Sequence, residues 1–311
     1  MFIRQPTSVF DPAKPDTRFS KKGLACLALI YIIWGSTYLA IRISVREGSG
    51  FEPFYLGASR TLASAILLLA WAALRKERLI PDREEVGVLF VSGLFLWIGG
   101  NALVMLAVRT ADSGLAALLV GSMPIWTAIV TSVWDRKPPA PKLFGAILLG
   151  FIGLSVLSWP VLRAGIHAEL WSLLALIVAP LLWGFGSVLI TRRPTRLMPA
   201  SLAAYQQLFG AVGFLALAIL LEEPWPNPIA EAWAAWAYLM FFGGVVAFTS
   251  FLVALKELPT DITMTYAYAN PVIAVFLGWA VLDESVTGWT LSGAALILLS
   301  IAGVFRQKRS R

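Results

Sequence analysis

The sequence predicts an all-α polytopic membrane protein: ten transmembrane helices in two five-helix repeats of inverted topology, with both termini cytoplasmic. Three observations predict it. Of 311 residues, 58% are hydrophobic and only 14% charged, with a mean hydropathy of +0.76, whereas soluble domains carry about a quarter charged residues. The apolar residues fall in runs of about 18–22, the length of helix that crosses a bilayer. A soluble helical protein would interpose polar faces between such runs, and here they are missing. Landmarks of the first half also recur in the second at one spacing.

Apolar length and charged punctuation place the spans at 24–43, 53–74, 86–107, 113–134, 142–159, 169–190, 199–221, 232–254, 260–281 and 288–305. Residues 1–23 form a polar, basic cytoplasmic tail. It is too long for a cleavable signal, and no A-x-A-like site follows, so the first span is expected to stay as an anchor. Arg42 closes the first span. Pro53 opens the second, and Arg75-Lys76 end it. Acidic and basic residues at 82–85 precede the third, and Asp135-Arg136 end the fourth. The fifth starts by Lys142, the sixth runs from Glu169 to Arg192-Arg193, and the seventh runs from Pro199 to Glu222-Glu223. Lys256-Glu257 end the eighth, Asp283-Glu284 end the ninth, and the tenth runs into a basic tail, 306–311. The first repeat is thus 24–159 and the second 160–305.

Ten spans put both termini on one side. That side collects all of the 25 basic residues except Arg42, Arg46, Arg60, Arg109 and Arg163. By the positive-inside rule it is the cytoplasmic side. The net charge of +7 therefore orients the chain in the bilayer, and nucleic acid is not an expected partner.

Sliding the second half over the first by about 147–149 residues sets Trp34-Gly35 on Trp183-Gly184, Ala107 on Ala254, Arg109 on Lys256 and Pro124 on Pro271. "GAILLGFIGLSVL" (145–157) falls on "GAALILLSIAGVF" (293–305). The shift moves the reading by five spans, an odd number, so the copies enter the membrane from opposite sides. Inverted repeats are a signature of secondary transporters, which exchange the poses of their halves.

The order of landmarks resembles the drug/metabolite transporter superfamily, in particular its ten-helix EamA-type members. "YIIWGSTYLAIR" (31–42), "SRTLASAILLL" (59–69) and "NPVIAVFLGWAVLDESVTGWTLSGAALILLSIAGV" (270–304) carry the likeness. The first-half copy departs from it, with "DRKPPAPK" (135–142) in place of the acidic turn Asp283-Glu284. The resemblance spans residues 24 to 305 and implies a plasma-membrane carrier of small metabolites, most like exporters of aromatic and other neutral amino acids. A proton-coupled drug or metabolite exporter and a nucleotide-sugar or phosphate-ester carrier are the alternatives within the superfamily.

Two prolines mark where a cavity would lie. Pro124 cannot donate to the Val120 carbonyl, nor Pro271 to that of Ala267. In hydrocarbon such a break is tolerated where protein or a water-filled cavity satisfies the freed carbonyl. The residues are therefore hinge candidates, with packing kinks as the other reading. Polar and aromatic residues cluster at helical spacing on the same segments: Trp34 and Tyr38, Trp97 and Asn101, Ser122 and Trp126, Trp183 and Ser187, Tyr205, Gln206 and Gln207, and Thr263, Tyr266 and Asn270. Intramembrane polar groups usually face the bundle interior, although amides also bond neighbouring helices. Trp71, Trp134, Trp225, Trp233 and Trp289 sit near span ends, as interfacial belt residues do. Walls of Trp and Tyr with a few amides would accept an apolar side chain by contact area and the polar ends by hydrogen bonds.

Arg60 is the one charge placed inside a span. A substrate carboxylate is its functional partner; snorkelling, or pairing with Glu52, is the structural alternative. A single arginine is thin support for phosphate-bearing substrates. The 18 acidic residues all fall in connections or at span ends, so the usual proton-relay group is lacking and facilitated transport is expected. Glu52 and Asp261, near span ends, keep proton coupling open. Gly145, Gly150, Gly153, Gly293 and Gly303 suit the fifth and tenth spans to close packing. One cysteine, Cys26, and one histidine, His167, leave no disulfide, no metal site and no nucleophile-base pair. No cofactor and no enzyme activity are expected. A channel would not need two matched halves, and a scaffold would move no solute.

Overall fold

The computed structural model describes residues 19–107, 111, 113–163, 169–282 and 286–309. Helix runs through each predicted segment, though not as ten unbroken rods. The elements are α1 (Lys21–Val45), α2 (Pro53–Leu74), α3 (Arg83–Ala107), α4 (Ser113–Val120), α5 (Met123–Asp135), α6 (Pro141–Leu157), α7 (Trp159–Arg163), α8 (Leu170–Arg192), α9 (Pro199–Leu220), α10 (Ala230–Glu257), α11 (Thr260–Thr263), α12 (Tyr266–Leu282) and α13 (Gly288–Arg309). Among the described residues seven helical stretches are long and apolar enough to cross a membrane, and Pro141–Leu157 is a shorter apolar helix. Residues 1–18, Arg109, His167, the acidic turn Asp283-Glu284 and the side chains of Tyr38 and Arg42 lie outside the described residues.

Two helix pairs relate the halves. The second helix of one packs along the second of the other (α2 with α9), and the fifth along the fifth (α6 with α13). The first helices are exchanged: α1 packs on α10 and α12 of the second half, and α8 on α3 and α5 of the first. Glycine permits these approaches. A Cβ on Gly35 would lie 2.8 Å from Ile273 Cγ2 of α12, and one on Gly184 would lie 2.7 Å from Thr127 Oγ1 of α5. The same Trp-Gly step thus seats the first helix of each half on the fourth helix of the other. At the α6–α13 crossing, Cβ atoms on Gly153 and Gly293 would meet backbone atoms at 2.9 and 2.5 Å. Small residues there let two backbones touch, as membrane helix pairs require.

A buried carboxylate clasps each end of the antiparallel α2–α9 pair. Pro53 leads α2 and has no N–H. The next two amides, Phe54 and Tyr55, donate to the Glu223 carboxylate from the loop after α9, each at 3.0 Å. At the other end Glu85 takes the backbone amide of Arg196, ahead of α9, at 2.6 Å, and pairs with Arg78 at 2.9 Å. Glu85 also completes a capping box with Asp82 at the start of α3. The Glu85 amide holds the Asp82 carboxyl below the usual carboxylate range, which keeps that cap formed at neutral pH. Helix N-termini leave four amides unpaired, and a carboxylate answers both the amides and the dipole. Glu223→Ala is expected to lower the unfolding midpoint in detergent, by a loss of about 1.5–3 kcal/mol for hydrogen bonds to a charged group. A midpoint equal to the parent's would refute the clasp.

Both proline segments are interrupted, in each case ahead of the proline. The first break is the turn at Gly121-Ser122, and Pro124 lies inside the first turn of α5. Proline is tolerated there because that N–H needs no intrahelical partner. In the second half the break is at Met264-Thr265, and Pro271 lies within the continuous helix α12. The amides of Ala267 and Tyr268 bond three residues back, to Met264 and Thr265, a tighter turn that takes up the bend before the proline is reached.

Candidate functional site

Six rings meet at the centre of the molecule. Trp34 of α1 lies 4.9 Å from Tyr266 at the head of α12, 5.3 Å from Phe251 of α10 and 5.8 Å from Trp183 of α8, the last edge-on at 80°. Trp97 of α3 lies 5.0 Å from Phe248 of α10 and 6.5 Å from Trp183. Trp34 and Trp183 are the repeat-related pair, and the exchange of first helices is what brings them face to edge. Each such pair contributes about 0.5–1.5 kcal/mol beyond its buried area. The Tyr266 hydroxyl donates to the Met123 sulfur at 3.0 Å, so the interruptions of the two halves touch beside the rings.

The third helix of each half carries a π-helical stretch, Leu94–Ala102 in α3 and Leu239–Ala247 in α10. Each contains a Gly-Gly pair, 99–100 and 243–244. π-Helical turns are rare and recur at functional sites. The second stretch is held from three other helices. Ser64 Oγ of α2 donates to the Met240 carbonyl at 2.8 Å, Gln207 Nε2 of α9 to Gly244 at 3.1 Å, and Trp34 Nε1 of α1 to Gly243 at 3.4 Å. In the first stretch Asn101 Nδ2 donates to the Leu96 carbonyl of its own helix at 3.2 Å.

Several buried polar side-chain atoms have no partner among the described residues. Arg60 is buried, 9% exposed, with its guanidinium 5.8 Å from the Trp97 ring centroid and no partner on Nε. Cation–π contact of a desolvated cation is worth about 2 kcal/mol, less than the several kcal/mol that burying the charge costs. The indole N–H groups of Trp97 and Trp183 are also buried and unpaired, as are the side-chain oxygens of Gln206, Gln207 and Asn270. Native interiors leave few such groups. Unpaired donors and unpaired acceptors thus both occur among buried side chains of α2, α3, α8, α9 and α12.

The predicted residues divide into three groups. Trp34, Trp97, Trp183 and Tyr266 converge, with Arg60 against Trp97. Gln206 and Asn270 are buried near the helix contacts, Gln206 donating to Ser92 Oγ at 2.7 Å. The others are taken up locally. Trp126 Nε1 donates to Ser122 Oγ at 3.0 Å, Ser187 Oγ to the Trp183 carbonyl one turn back at 2.7 Å, and Tyr205 is half-buried. Glu52 is not the ion-pair partner of Arg60 among the described residues. Phe248, Phe251 and Ser64 were not legible as site residues. "FFGGVVAFTSFL" (241–252) offers four phenylalanines, and nothing in the run separates the buried Phe248 and Phe251 from the outward Phe241 and Phe242.

The model of the EamA-like transporter family matches residues 21–159 and again 170–306. The chain belongs to the EamA-like transporter family. Its two family repeats are the two halves that exchange their first helices, and it is a multi-pass membrane protein. This EamA-like transporter is 28% identical over 263 residues to the uncharacterized inner membrane transporter YedA of Escherichia coli, covering 84% of this chain and 83% of YedA. It is 24% identical to the uncharacterized transporter YoaV of Bacillus subtilis, covering 88% and 92%. A solved crystal structure of a protein 20% identical in sequence shares the fold, with a TM-score of 0.79 over 93% of this chain and 98% of that one.

Proposed function

We propose that this EamA-like transporter exports neutral amino acids, chiefly aromatic ones, by alternating access through a cavity between its inverted halves. The observation that carries the reading is the meeting of Trp34, Trp97, Trp183 and Tyr266 beside a buried Arg60 whose Nε has no partner among the described residues. Rings offer contact area to an apolar side chain. Arg60 and the indole N–H groups offer donors to a carboxylate, and the Gln207 and Asn270 oxygens offer acceptors to an ammonium. With the rings packed together, the centre is closed; rocking of the halves about the interrupted fourth and ninth segments opens it to one side at a time. The chain crosses the bilayer ten times with both ends in the cytoplasm, and it acts as a uniporter, because its carboxylates stay at helix ends.

Uptake of labelled tryptophan and phenylalanine into proteoliposomes, at clamped pH and voltage, tests each part. Saturable flux with a constant lumenal pH is expected. Flux of a sugar nucleotide or phosphate ester instead would overturn the substrate, pH change in step with flux would overturn uniport, and channel-like conductance would overturn the carrier.

A further inference from the structure

We propose that a groove between α2, α9 and α10 binds one acyl chain of an anionic phospholipid whose headgroup sits on Arg75 and Lys76. The groove has a volume of about 220 Å³ and is walled by Leu68, Trp71, Ala200, Val245, Val246 and Val253, with Thr249 and Ser250 beside them. None of the six central rings is among its walls. Trp71 in its wall and Leu74, three residues further along α2, are exposed, so in a membrane it opens to lipid.

Three features name the occupant. The walls are aliphatic, which suits a chain of methylenes and offers nothing to the charged ends of an amino acid. The Thr249 hydroxyl is buried without a partner, a donor that an ester carbonyl can meet. The rim is cationic. Arg75 lies directly after α2, with its guanidinium 5.8 Å from the Trp71 ring that walls the groove, and it makes no ion pair among the described residues. Lys76 takes a left-handed backbone, φ 55°, that turns the chain back over the helix end. A tryptophan near the end of a span with basic residues beside it favours negative lipids over zwitterionic ones. The walls include Val245 and Val246 of the π-helical stretch in α10, so the lipid packs on the same segment that Ser64 and Gln207 hold from inside.

Photo-crosslinking tests this. The full-length protein is reconstituted in vesicles carrying phosphatidylglycerol with a diazirine in one acyl chain, and adducts are mapped by mass spectrometry. Adducts are expected on Leu68, Val246 and Val253 well above those on the exposed Leu298 and Leu299 of α13. Val246→Trp fills the groove and should bring them down to that reference. Arg75→Gln and Lys76→Gln should each reduce them about fivefold. Equal labelling from a phosphatidylcholine probe, or labelling no higher than at Leu298 and Leu299, would overturn the proposal. So would displacement of the adducts by tryptophan or phenylalanine, which would make the groove a route for solute.

Discussion

Arg60→Met is expected to lower amino-acid flux in proteoliposomes about 10- to 100-fold, the loss of a hydrogen-bonded charge pair worth about 1.5–3 kcal/mol. The empty protein should unfold in detergent at the same temperature or a higher one. The two effects run in opposite directions for one reason. Among the described residues Arg60 is buried against Trp97 with no carboxylate partner and an unpaired Nε. In the empty protein it carries a desolvation cost that a thioether of similar length does not, and replacing a buried charge by apolar atoms is often neutral or stabilising by about 1–4 kcal/mol. Only when a carboxylate arrives is that cost offset. A residue kept for packing would behave the other way: its loss would lower the melting temperature and leave flux of the surviving protein near normal. That pair of results would remove Arg60 from the site.

Gly244→Ala should destabilise the protein by about 1–3 kcal/mol, the usual penalty for overpacking a filled core. A Cβ there would stand 2.2 Å from Ser64 Oγ and 2.9 Å from Gln207 Oε1, the residues that hold the π-helical carbonyls of Met240 and Gly244. The methyl group pushes both clamps off the π-helical stretch, and α10 is free to rewind toward the α-helical register. Flux should fall along with stability, because rewinding rotates Phe248 and Phe251 away from Trp97 and Trp34. Ser64→Ala on its own should cost less, and combined with Gly244→Ala it should restore part of the lost midpoint by removing the shortest contact. Additive losses in the double variant would show that the two sites are independent, and the clamp would be wrong.

The legible part of this fold is the part that a bilayer enforces locally. Runs such as 53–74 and 199–221 end within a residue of α2 and α9, because Pro53, Arg75, Pro199 and the Glu222-Glu223 pair are costly anywhere but at the ends. The repeat was legible through Trp34-Gly35 and Trp183-Gly184, whose neighbours demand both a ring and a missing Cβ. The prolines marked the interrupted segments, and each break lies ahead of its proline. Proline reports a lost N–H, but the bend is taken up wherever the preceding turn can tighten, at 121–122 and at 264–265. The clasps of Glu85 and Glu223 could not be read at all, since an acidic residue next to an apolar run looks like ordinary punctuation until backbone amides from the other half are found beside it.

By itself, then, the sequence determined the class, the segments, the duplication and the residue types available to a site, all of which follow from hydrophobic length and from the placing of charge. The tertiary structure alone decided which faces turn inward, which helices trade places between the halves, and where the backbone leaves the α-helical register. A helix in lipid is apolar all round, so its composition carries no distinction between core and surface. That distinction is made only where two backbones come close enough to touch, and the glycines that permit it become informative once the opposing atom is known.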